Sequence, residues 1–298
     1  MILNIGSLNI DYVYSVDHFV RAGETIASRE LHTFCGGKGL NQSVACARAG
    51  AKIRHLGRVG GEGLFLRERL EQAGVDVSDV TVLRDVASGH AIIQVDTSGQ
   101  NSIVLYAGAN HRITEADVDA AVARCARGDI LLLQNETSCV DYAAEAAHAA
   151  GMRVALNPSP ITDALARSRA LAHVDWFILN EIEGEAVSGE KEPEKICDAL
   201  LGRYPDARVM LTLGARGCLY KDAQTTARHD IYKVPVVDTT AAGDTFTGYF
   251  LAGLERGADI GAILAEASMA SSIAVGRAGA SDSIPVYGEV AAALAGQK

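Results

Sequence analysis

Short apolar runs alternate along most of the chain with amphipathic stretches of helical spacing. Continuous runs such as residues 130–134 are typical of buried parallel strands, whereas apolar residues three or four positions apart are typical of helices. The pattern predicts strands at residues 2–8, 53–59, 80–83, 130–134, 153–156, 176–179 and 209–213. It predicts helices at residues 64–73, 140–150, 193–204, 244–256, 259–275 and 289–295, with others beginning near residues 38, 114 and 180. Strands that alternate with helices predict an α/β fold whose mainly parallel sheet is covered on both faces.

Two early extended segments, residues 12–19 and 25–34, interrupt this alternation because they mix polar and apolar positions. A β-hairpin is predicted at residues 91–95 and 102–106, around a polar turn that contains Gly99. The early segments are too polar for core strands of a sheet that is buried on both faces. We therefore expect them to form a small β flap over a binding site.

A turn of small residues lies between an apolar segment at residues 232–237, which we expect to be a strand, and the helical pattern near Asp244. Free backbone N–H groups at a helix N-terminus, together with the helix dipole, form an anion site. Asp244 in the first helical turn and Asp238 before it add carboxylates to this region. Such an arrangement suits phosphoryl transfer to a hydroxyl. An Asp at this position can equally do no more than cap and charge the start of the helix.

A second glycine-rich segment, CGGKGLNQ at residues 35–42, also opens a helix and also leaves amides free for a ligand. It lacks the GxxxxGK[ST] spacing of a P-loop and the GxGxxG spacing of a dinucleotide-binding fold.

Polar side chains recur where the predicted strands end, and in parallel sheets ligands bind beyond these carboxyl ends. The residues concerned are Asn9, Asp11, Gln134, Glu136, Asn157, Asn180, Glu183, Asp238 and Asp244. Their convergence on one edge favours a binding role for Asp244 over a purely structural one.

Composition narrows the class of protein further. The 298 residues are 48% hydrophobic and 21% charged, as in a globular enzyme with a sizeable core. A net charge of -10 argues against general binding to nucleic acid, although a local cradle can still bind an anionic small molecule. The six cysteines are dispersed without a CxxC pair, and the histidines lack metal-site spacing. With neither a signal-peptide pattern nor an apolar run long enough to span a membrane, we expect a cytoplasmic protein without membrane partners.

Taken together, the motifs resemble those of the ribokinase-like, or phosphofructokinase-B type, carbohydrate kinases over nearly the whole chain. The matching segments are GSLNID at residues 6–11, GGKGxNQ at 36–42, YAGAN at 106–110, NExE at 180–183, TLGxRG at 212–217 and DTTAAGDTF at 238–246. The resemblance implies a single kinase domain over residues 1–298, with a three-layer α/β/α core. It also implies a β-sheet lid, formed by about residues 12–34 and 81–106, through which two copies form a homodimer.

The family resemblance assigns roles to individual residues around the phosphoryl group. Asp244 is expected to be the catalytic base, and Ala241, Ala242 and Gly243 an anion hole for the γ-phosphoryl of ATP. Glu183 is expected to organise Mg²⁺ through water, as suits a cation that keeps much of its hydration shell. The expected nucleotide contacts are Asn180, Thr212, Gly214, Gly217 and Ser268, together with Gly243.

Sugar and cation contacts follow from the same resemblance. The positions that correspond to sugar ligands are Asn9, Asp11, Gly37, Lys38, Asn41, Glu136 and Asp244. The positions that correspond to a monovalent cation site, expected to take K⁺, are Asp238, Thr240, Ala274, Arg277, Gly279 and Ser283. Each of three residues also has a simpler interpretation: Lys38 as a solvent-exposed turn residue, Glu136 as a helix-start charge and Asp238 as a turn cap.

The resemblance implies transfer of the γ-phosphoryl of ATP to the primary hydroxyl of a pentose, D-ribose first. Deoxyribose, fructose or tagatose, and nucleosides stay open as acceptors within this class, although the sugar motifs have few aromatic residues to stack on a base. A non-catalytic sugar-binding regulator with the same fold is the alternative outside the class. The presence of both Asp244 and Gly243 disfavours that alternative.

Overall fold

The computed structural model describes residues 1–297, so Lys298, the last residue of the predicted domain, lies outside the described residues. The strands, in chain order, are β1 (Ile2–Ile5), β2 (Asn9–Ser15), β3 (Glu30–Gly36), β4 (Ile53–Gly60), β5 (Asp76–Leu83), β6 (Gly89–Val95), β7 (Asn101–Tyr106), β8 (Ile130–Gln134), β9 (Arg153–Asn157), β10 (Trp176–Asn180), β11 (Arg208–Thr212), β12 (Cys218–Lys221) and β13 (Thr226–His229). The α-helices are α1 (Lys38–Arg48), α2 (Leu64–Gln72), α3 (Glu115–Val122), α4 (Val140–Ala149), α5 (Asp163–Ala166), α6 (Glu181–Ser188), α7 (Pro193–Arg203), α8 (Ala242–Glu255), α9 (Ile260–Val275) and α10 (Tyr287–Ala295).

A large, mainly parallel sheet forms the centre of the molecule. Within residues 1–297 it has nine strands in the order β13-β12-β11-β10-β9-β8-β1-β4-β5. The strands from β11 to β5 run parallel, and β12 and β13 add an antiparallel hairpin at one edge. The predicted α/β fold with a mainly parallel sheet is thus confirmed.

Side chains that alternate along the central strands fill two separate hydrophobic cores, one on each face of the sheet. In β1, Ile2 points into the core that contains α1, α8 and α9, whereas Leu3 and Ile5 point into the core that contains α4 and α7. Each fully buried Leu or Ile contributes about 1.5–3 kcal/mol through the hydrophobic effect. The two cores make this a three-layer arrangement, and in the described part of the chain no helix is long and apolar enough to cross a membrane.

A separate small sheet stands beside the carboxyl ends of the large one. Its strand order is β3-β2-β6-β7, and its strands come from both ranges that the sequence assigns to a lid. Residues 81–83, at the start of the second range, instead complete β5 in the large sheet. The small sheet keeps large apolar side chains in solvent, including Phe34, Ile92, Ile103 and Leu105.

The segment before α8 differs from the prediction, because residues 232–237 do not form a strand. The edge of the large sheet beside β11 is occupied by the β12–β13 hairpin, whose short strands the apolar pattern did not indicate. Pro235 has no N–H group for a strand ladder. The backbone N–H groups of Val237 and Asp238 instead donate to the carbonyl of Val275 at the end of α9, at 2.8 and 3.2 Å.

Helices α1 and α8 pack together unusually closely through Gly248. A Cβ atom on Gly248 would lie 2.3 Å from Cβ of Ala45 and 2.7 Å from the backbone nitrogen of Cys46. These distances are shorter than any van der Waals contact, so a larger residue would push the helices apart. The close approach brings Asn41 and Gln42 of α1 against Asp244 of α8.

Candidate active site

The first turn of α8, residues 241–244, leaves backbone amides free and is called here the anion turn. Ala241, the residue that precedes the helix, has φ 59° and ψ 10°, a left-handed conformation that is uncommon for a residue with a side chain. Both the N–H and the hydroxyl of Thr245 donate to the carbonyl of Ala241 at 2.8 Å, which holds the turn in this shape. Within residues 1–297 the N–H groups of Gly243 and Asp244 have no hydrogen-bond acceptor. The turn can therefore bind an anion.

Asp244 is only 8% exposed, and its carboxylate is held by α1. Nδ2 of Asn41 donates to one carboxylate oxygen at 3.0 Å, and Nε2 of Gln42 donates to the other at 2.9 Å. A residue that served only as a helix cap would accept a hydrogen bond from the backbone of its own helix. These contacts to α1 instead fix the carboxylate beside the anion turn.

A cavity of about 220 Å³ lies in front of the anion turn, and residues predicted to contact the phosphoryl group, the nucleotide, Mg²⁺ or the sugar line it. Those residues are Lys38, Asn180, Glu183, Thr212, Ala241, Ala242, Gly243 and Asp244. Lys38 is half-buried here and does not extend into solvent as a simple turn residue would. The cavity thus brings together an anion cradle, a carboxylate and a cationic side chain.

Asn180 and Glu183 also have a structural task at the start of α6. The side chain of Asn180 accepts from the N–H of Glu183 at 2.9 Å, and Oε2 of Glu183 accepts from the N–H of Asn180 at 3.0 Å. This capping box fixes the carboxylate of Glu183, which is 4% exposed, at the edge of the cavity. Since the capping box uses only Oε2, Glu183 keeps Oε1 for a further partner.

A second cavity of about 150 Å³ adjoins the first and is more apolar. It shares Thr212, Ala242 and Gly243 with the first cavity, and its other lining residues include Gly214, Gly217, Ile231, Phe246 and Ser268. All the predicted nucleotide contacts therefore lie on one or both of the two connected cavities.

The glycine-rich start of α1 packs directly against the chain after β1. Gly37 has φ 94°, and a Cβ on it would lie 2.9 Å from the nitrogen of Asn9 and from the carbonyl of Ser7. A Cβ on Gly39 would lie 2.3 Å from the nitrogen of Ser7. Only glycine fits this approach, which places Asn9 and Lys38 on neighbouring segments.

Glu136 joins these segments through its carboxylate. Its Oε2 accepts from the hydroxyl of Ser7 and from the N–H of Lys38, the latter at 3.1 Å. Ser7 in turn accepts from the N–H of Gly39 at 3.2 Å. Glu136 is therefore more than a charge at a helix start.

A third cavity, of about 170 Å³, opens beside Asn9 and Glu136 toward the small sheet. Oδ1 of Asn9 accepts from Nδ2 of Asn110 at 2.7 Å, and Oδ1 of Asn110 accepts from the N–H of Leu8 at 3.0 Å. Asn110 thus fixes the orientation of the Asn9 side chain.

Three charged groups share the region of the predicted sugar contacts and change one another's ionisation. Burial, and then the negative charge of Glu136, raise the pKa of Asp11 to about 7. Burial raises the pKa of Glu136, although the charge of Lys38 and the hydrogen bonds from Ser7 and Lys38 oppose this shift. Burial by itself would lower the pKa of Lys38, but the carboxylates of Asp244, Glu136 and Glu183 raise it overall.

The segment of the predicted cation site is held together by Asp238. Its Oδ1 accepts from the N–H and the hydroxyl of Thr240 at 2.9 and 2.6 Å, and its Oδ2 accepts from the N–H of Gly279 at 3.1 Å. Burial favours the protonated acid, but these hydrogen bonds outweigh it and lower the pKa of Asp238. Asp238 therefore caps its turn, as its simpler interpretation holds, and also ties the turn to Gly279.

The remaining residues of the predicted cation site have partners of their own. The carbonyl of Ala274 accepts from the N–H of Arg277 at 3.0 Å, and the guanidinium of Arg277 pairs with Glu289 at 3.0 Å. The hydroxyl of Ser283 donates to the carbonyl of Ala280 at 2.8 Å.

Several residues of the site had no specific role assigned to them from the sequence. Ser7, Gln42, Asn110 and Asn157 make direct hydrogen bonds to predicted site residues or to each other. Ser7, Gln42 and Asn110 lie inside the motifs noted above, and Asn157 ends a predicted strand. Their positions were therefore visible in the sequence, whereas their partners depend on tertiary packing.

The fold and this site define an α/β protein that can hold an anion and a polar small molecule side by side. The chain matches the model of the pfkB family of carbohydrate kinases over residues 1–286. A ribokinase of Haemophilus influenzae is 35% identical over 293 residues, which cover 96% of this chain and 95% of the relative. The chain therefore belongs to the pfkB family of carbohydrate kinases, as its motifs indicated.

Two solved structures support the same conclusion. The ribokinase of Thermotoga maritima is 32% identical, with a TM-score of 0.87 and coverage of 99% of both chains. The Arabidopsis thaliana ribokinase complexed with ribose and ATP is 29% identical, with a TM-score of 0.86 and coverage of 98% of both chains.

The raised pKa of Asp11 predicts a pH-dependent stability. A carboxyl whose pKa is higher in the folded than in the unfolded state stabilises the fold at low pH, and this contribution is lost as the pH rises through about 7. Asp11→Asn cannot ionise at this position, so it does not lose this contribution. We therefore expect the free energy of unfolding of the variant, minus that of the native chain, to increase by about 1–3 kcal/mol between about pH 5 and about pH 8. Urea denaturation at both pH values measures the difference.

The exposed Asp85, changed to Asn, provides a matched control for this experiment. We expect its stability difference from the native chain to stay nearly constant over the same pH range. A constant difference for Asp11→Asn as well would contradict the raised pKa.

Proposed function

We propose that this protein is an ATP-dependent kinase that transfers the γ-phosphoryl group to the primary hydroxyl of D-ribose and forms ribose 5-phosphate. The observation that carries the proposal is the buried Asp244 carboxylate next to the free N–H groups of the anion turn. The ribokinases of Haemophilus influenzae and Thermotoga maritima match nearly the whole chain at 35% and 32% identity, above the 29% of a deoxyribokinase of Salmonella typhi, which favours ribose among the sugars.

In the proposed reaction, the ribose hydroxyl oxygen forms a bond to the γ-phosphorus while the bond from that phosphorus to the bridging oxygen of ADP breaks. Asp244 accepts the hydroxyl proton. The N–H groups of Gly243 and Asp244 meet negative charge on the transferring group, which is the larger contribution to phosphoryl transfer. Lys38, a half-buried residue that lines the same cavity, adds positive charge to it.

For the sugar, we propose that Asn9, Asp11, Asn41 and Glu136 hydrogen-bond the ring hydroxyls, with Gly37 and Lys38 completing the pocket. Amides and carboxylates suit a neutral polyol, whereas a phosphorylated sugar would favour arginines. Among the described residues that line the first and third cavities, none is an arginine. This supports an unphosphorylated substrate.

For the nucleotide, we propose that the more apolar second cavity takes the adenosine of ATP, with Thr212, Gly214, Gly217 and Ser268 around it. Asn180, which lines the first cavity, would contact the phosphates. The two cavities meet at Ala242 and Gly243, so a nucleotide lying across both would bring its terminal phosphate to the anion turn.

We propose further that Glu183 holds Mg²⁺ through water. Its fit rests on the structure of the capping box, which fixes the carboxylate at the cavity and leaves Oε1 outside that box. A bound Mg²⁺ would neutralise phosphate charge during transfer.

A monovalent cation, K⁺, is proposed for the loop that Asp238 ties together. A carboxylate has about four lone-pair directions, and three of those of Asp238 accept the hydrogen bonds described above. One direction is therefore left for a cation, and we propose that the backbone carbonyls of Thr240, Ala274, Arg277 and Gly279 and the buried Ser283 supply its other oxygen ligands. Because Asp238 also shapes the turn before the anion turn, a cation here would steady the phosphoryl site.

We also propose that the small sheet is a lid that covers the sugar and joins two copies into a homodimer. Phe34, Asp11, Ala91 and Leu105 are successive cross-strand neighbours and lie in one row on one face of the sheet. Because Asp11 is a proposed sugar ligand, we infer that this face of the small sheet is directed toward the sugar. Leu105 and Ile103 on it are 54% and 51% exposed, which supports a partner on this face.

Replacement of the proposed base should separate chemistry from binding. We expect Asp244→Asn to lower kcat with ribose by at least about 10²-fold, because proton acceptance at the hydroxyl is lost, while ribose still binds. ADP release measures kcat, and calorimetry measures ribose binding. Comparable turnover in the variant would contradict the role of Asp244.

The choice of acceptor is tested by measuring ADP release from the native chain with ribose, 2-deoxyribose, fructose, tagatose and common nucleosides. A strong preference for another acceptor would replace ribose in the proposal. Ribose binding without ADP release from any acceptor would instead favour a non-catalytic regulator.

The proposed cation site predicts selective activation. We expect the rate in K⁺ to exceed that in Na⁺, at equal ionic strength, by about fivefold or more. Asp238→Asn should lose most of this difference, since the variant lacks the anionic ligand. Equal rates of the native chain in the two salts would remove the cation from the proposal.

The proposed dimer can be tested on the exposed face of the lid. We expect Ile103→Glu to convert a dimer into a monomer, because a carboxylate would be buried in the interface. Ile182→Glu, at a 76% exposed position on α6, is a control that should leave the dimer intact. Analytical ultracentrifugation measures the mass, and a monomeric native chain would refute the dimer.

A further inference from the structure

A chain of buried amide side chains lies beneath Asp244 and ends on its carboxylate. The link to Asp244 is Gln42, which is fully buried and which none of the roles above includes. Its Nε2 donates to Oδ1 of Asp244 and to Oδ1 of Asn157, both at 2.9 Å. Both protons of this amide nitrogen are therefore used, one of them on the proposed base.

A hydrogen bond from Gln134 fixes the orientation of the Gln42 amide. Oε1 of Gln42 accepts from Nε2 of Gln134 at 2.7 Å, and Gln134 is itself 1% exposed. With the amide reversed, Oε1 would face the acceptor oxygens of Asp244 and Asn157. Asn157 cannot turn to compensate, because its own Nδ2 donates to the carbonyl of Ile178 at 2.9 Å. Only one orientation of the Gln42 amide gives both its nitrogen and its oxygen hydrogen-bond partners.

The orientation of each donor and acceptor is also fixed in the rest of this series of hydrogen bonds, which runs from Gln134 to His55. Nε2 of Gln134 also donates to Oδ1 of Asn4 at 3.1 Å, and Nδ2 of Asn4 donates to the hydroxyl of Ser43 at 2.8 Å. Ser43 contacts Nδ1 of His55 at 2.8 Å, and Nε2 of His55 lies 3.2 Å from the carbonyl of Gly6. Since a carbonyl only accepts, Nε2 carries the proton and Nδ1 accepts from Ser43. Burial lowers the pKa of His55 to about 4, which keeps it neutral.

From this geometry we propose that Gln42 is a positioning residue for the proposed base. It donates to Oδ1 of Asp244 and so holds the carboxylate in the rotation that presents a free lone pair to the substrate hydroxyl. The inference rests on the proposed function, in which Asp244 accepts the hydroxyl proton. Lys38 of α1 and Glu183 of α6 line the same cavity as Asp244, and Glu136 after β8 is close enough to interact with its charge. In the described chain, however, the hydrogen bonds to its carboxylate come from the amides of Asn41 and Gln42.

The test compares two substitutions of similar size. Gln42→Met removes the donor without adding charge, and Gln42→Glu replaces the donor by an acceptor. We expect Gln42→Met to lower kcat by about 10- to 100-fold with little change in the KM for ribose, because a misoriented base affects the reaction more than ground-state binding. We expect Gln42→Glu to lower kcat further and to move the acidic limb of the kcat–pH profile to higher pH, because two adjacent carboxylates share a proton.

Gln72→Glu, at an exposed position at the end of α2, is the matched control and should leave kcat and its pH profile unchanged. Thermal unfolding of each variant shows whether it is folded at the assay temperature. If either variant is folded and has the native kcat and pH profile, the role of Gln42 is refuted. A folded variant whose KM rises while kcat stays native would also refute it, because that pattern indicates lost sugar binding.

Asp244→Asn, assayed in parallel, separates this inference from the proposed function. An inactive Asp244→Asn with native kcat in Gln42→Met would overturn only the role of Gln42. An active Asp244→Asn would overturn the proposed base, and the role of Gln42 with it.

Discussion

The hydrogen bonds that α1 donates to the carboxylate of Asp244 join the two glycine-rich helix starts into one site. The start of α1 carries the proposed sugar contacts, and the start of α8 carries the anion turn. Both halves depend on the contact at Gly248, where a single added Cβ would overlap with Ala45. Because a packed interface of this kind does not deform gradually, the distance between the proposed sugar contacts of α1 and the anion turn of α8 is set by helix packing and not by flexible loops.

The site also contains features that work against stability. Ala241 has a left-handed backbone, a conformation that costs about 1 kcal/mol or more in a residue with a side chain. Asp11 and Glu136 are carboxyls whose burial raises their pKa, so that ionisation is unfavourable in the fold. The two cores and the parallel sheet offset these terms. Strained backbone conformations and buried ionisable groups of this kind are expected at the ligand-binding site of a fold.

Much of the fold was predictable because apolar runs in buried parallel strands have few alternative interpretations. The strands from β8 to β11 agree with prediction to within a residue or two. The prediction failed at residues 232–237, where an apolar run contains Pro235 and finds its edge of the sheet already occupied by β12 and β13. Those strands are short, and β13 alternates exposed and half-buried positions, so that composition alone does not separate them from a loop.

The residues of the site were predictable in a similar, partial way. Many of the polar residues at strand ends and the glycine-rich helix starts line cavities at the carboxyl ends of the parallel strands, where ligands bind in such sheets. What the sequence could not supply was the pairing between side chains. Gln42 lies in the GGKGxNQ motif, but its partners Asp244, Asn157 and Gln134 belong to three other elements that are distant in the sequence.

The carboxylate of Asp244 is held by neutral amides, which suits a proton-accepting base better than direct contact with a cation would. A cation in direct contact makes a carboxylate a weaker proton acceptor, because it stabilises the charged form by several kcal/mol in a buried site. Neutral amides orient the carboxylate through directional hydrogen bonds with a smaller effect on its charge. The orientation of the Gln42 amide is fixed through Asn157 and Gln134, in a series of hydrogen bonds that ends at the backbone carbonyls of Ile178 and Gly6. Lys38 can therefore interact with anions in the cavity, while uncharged amides orient the carboxylate of Asp244.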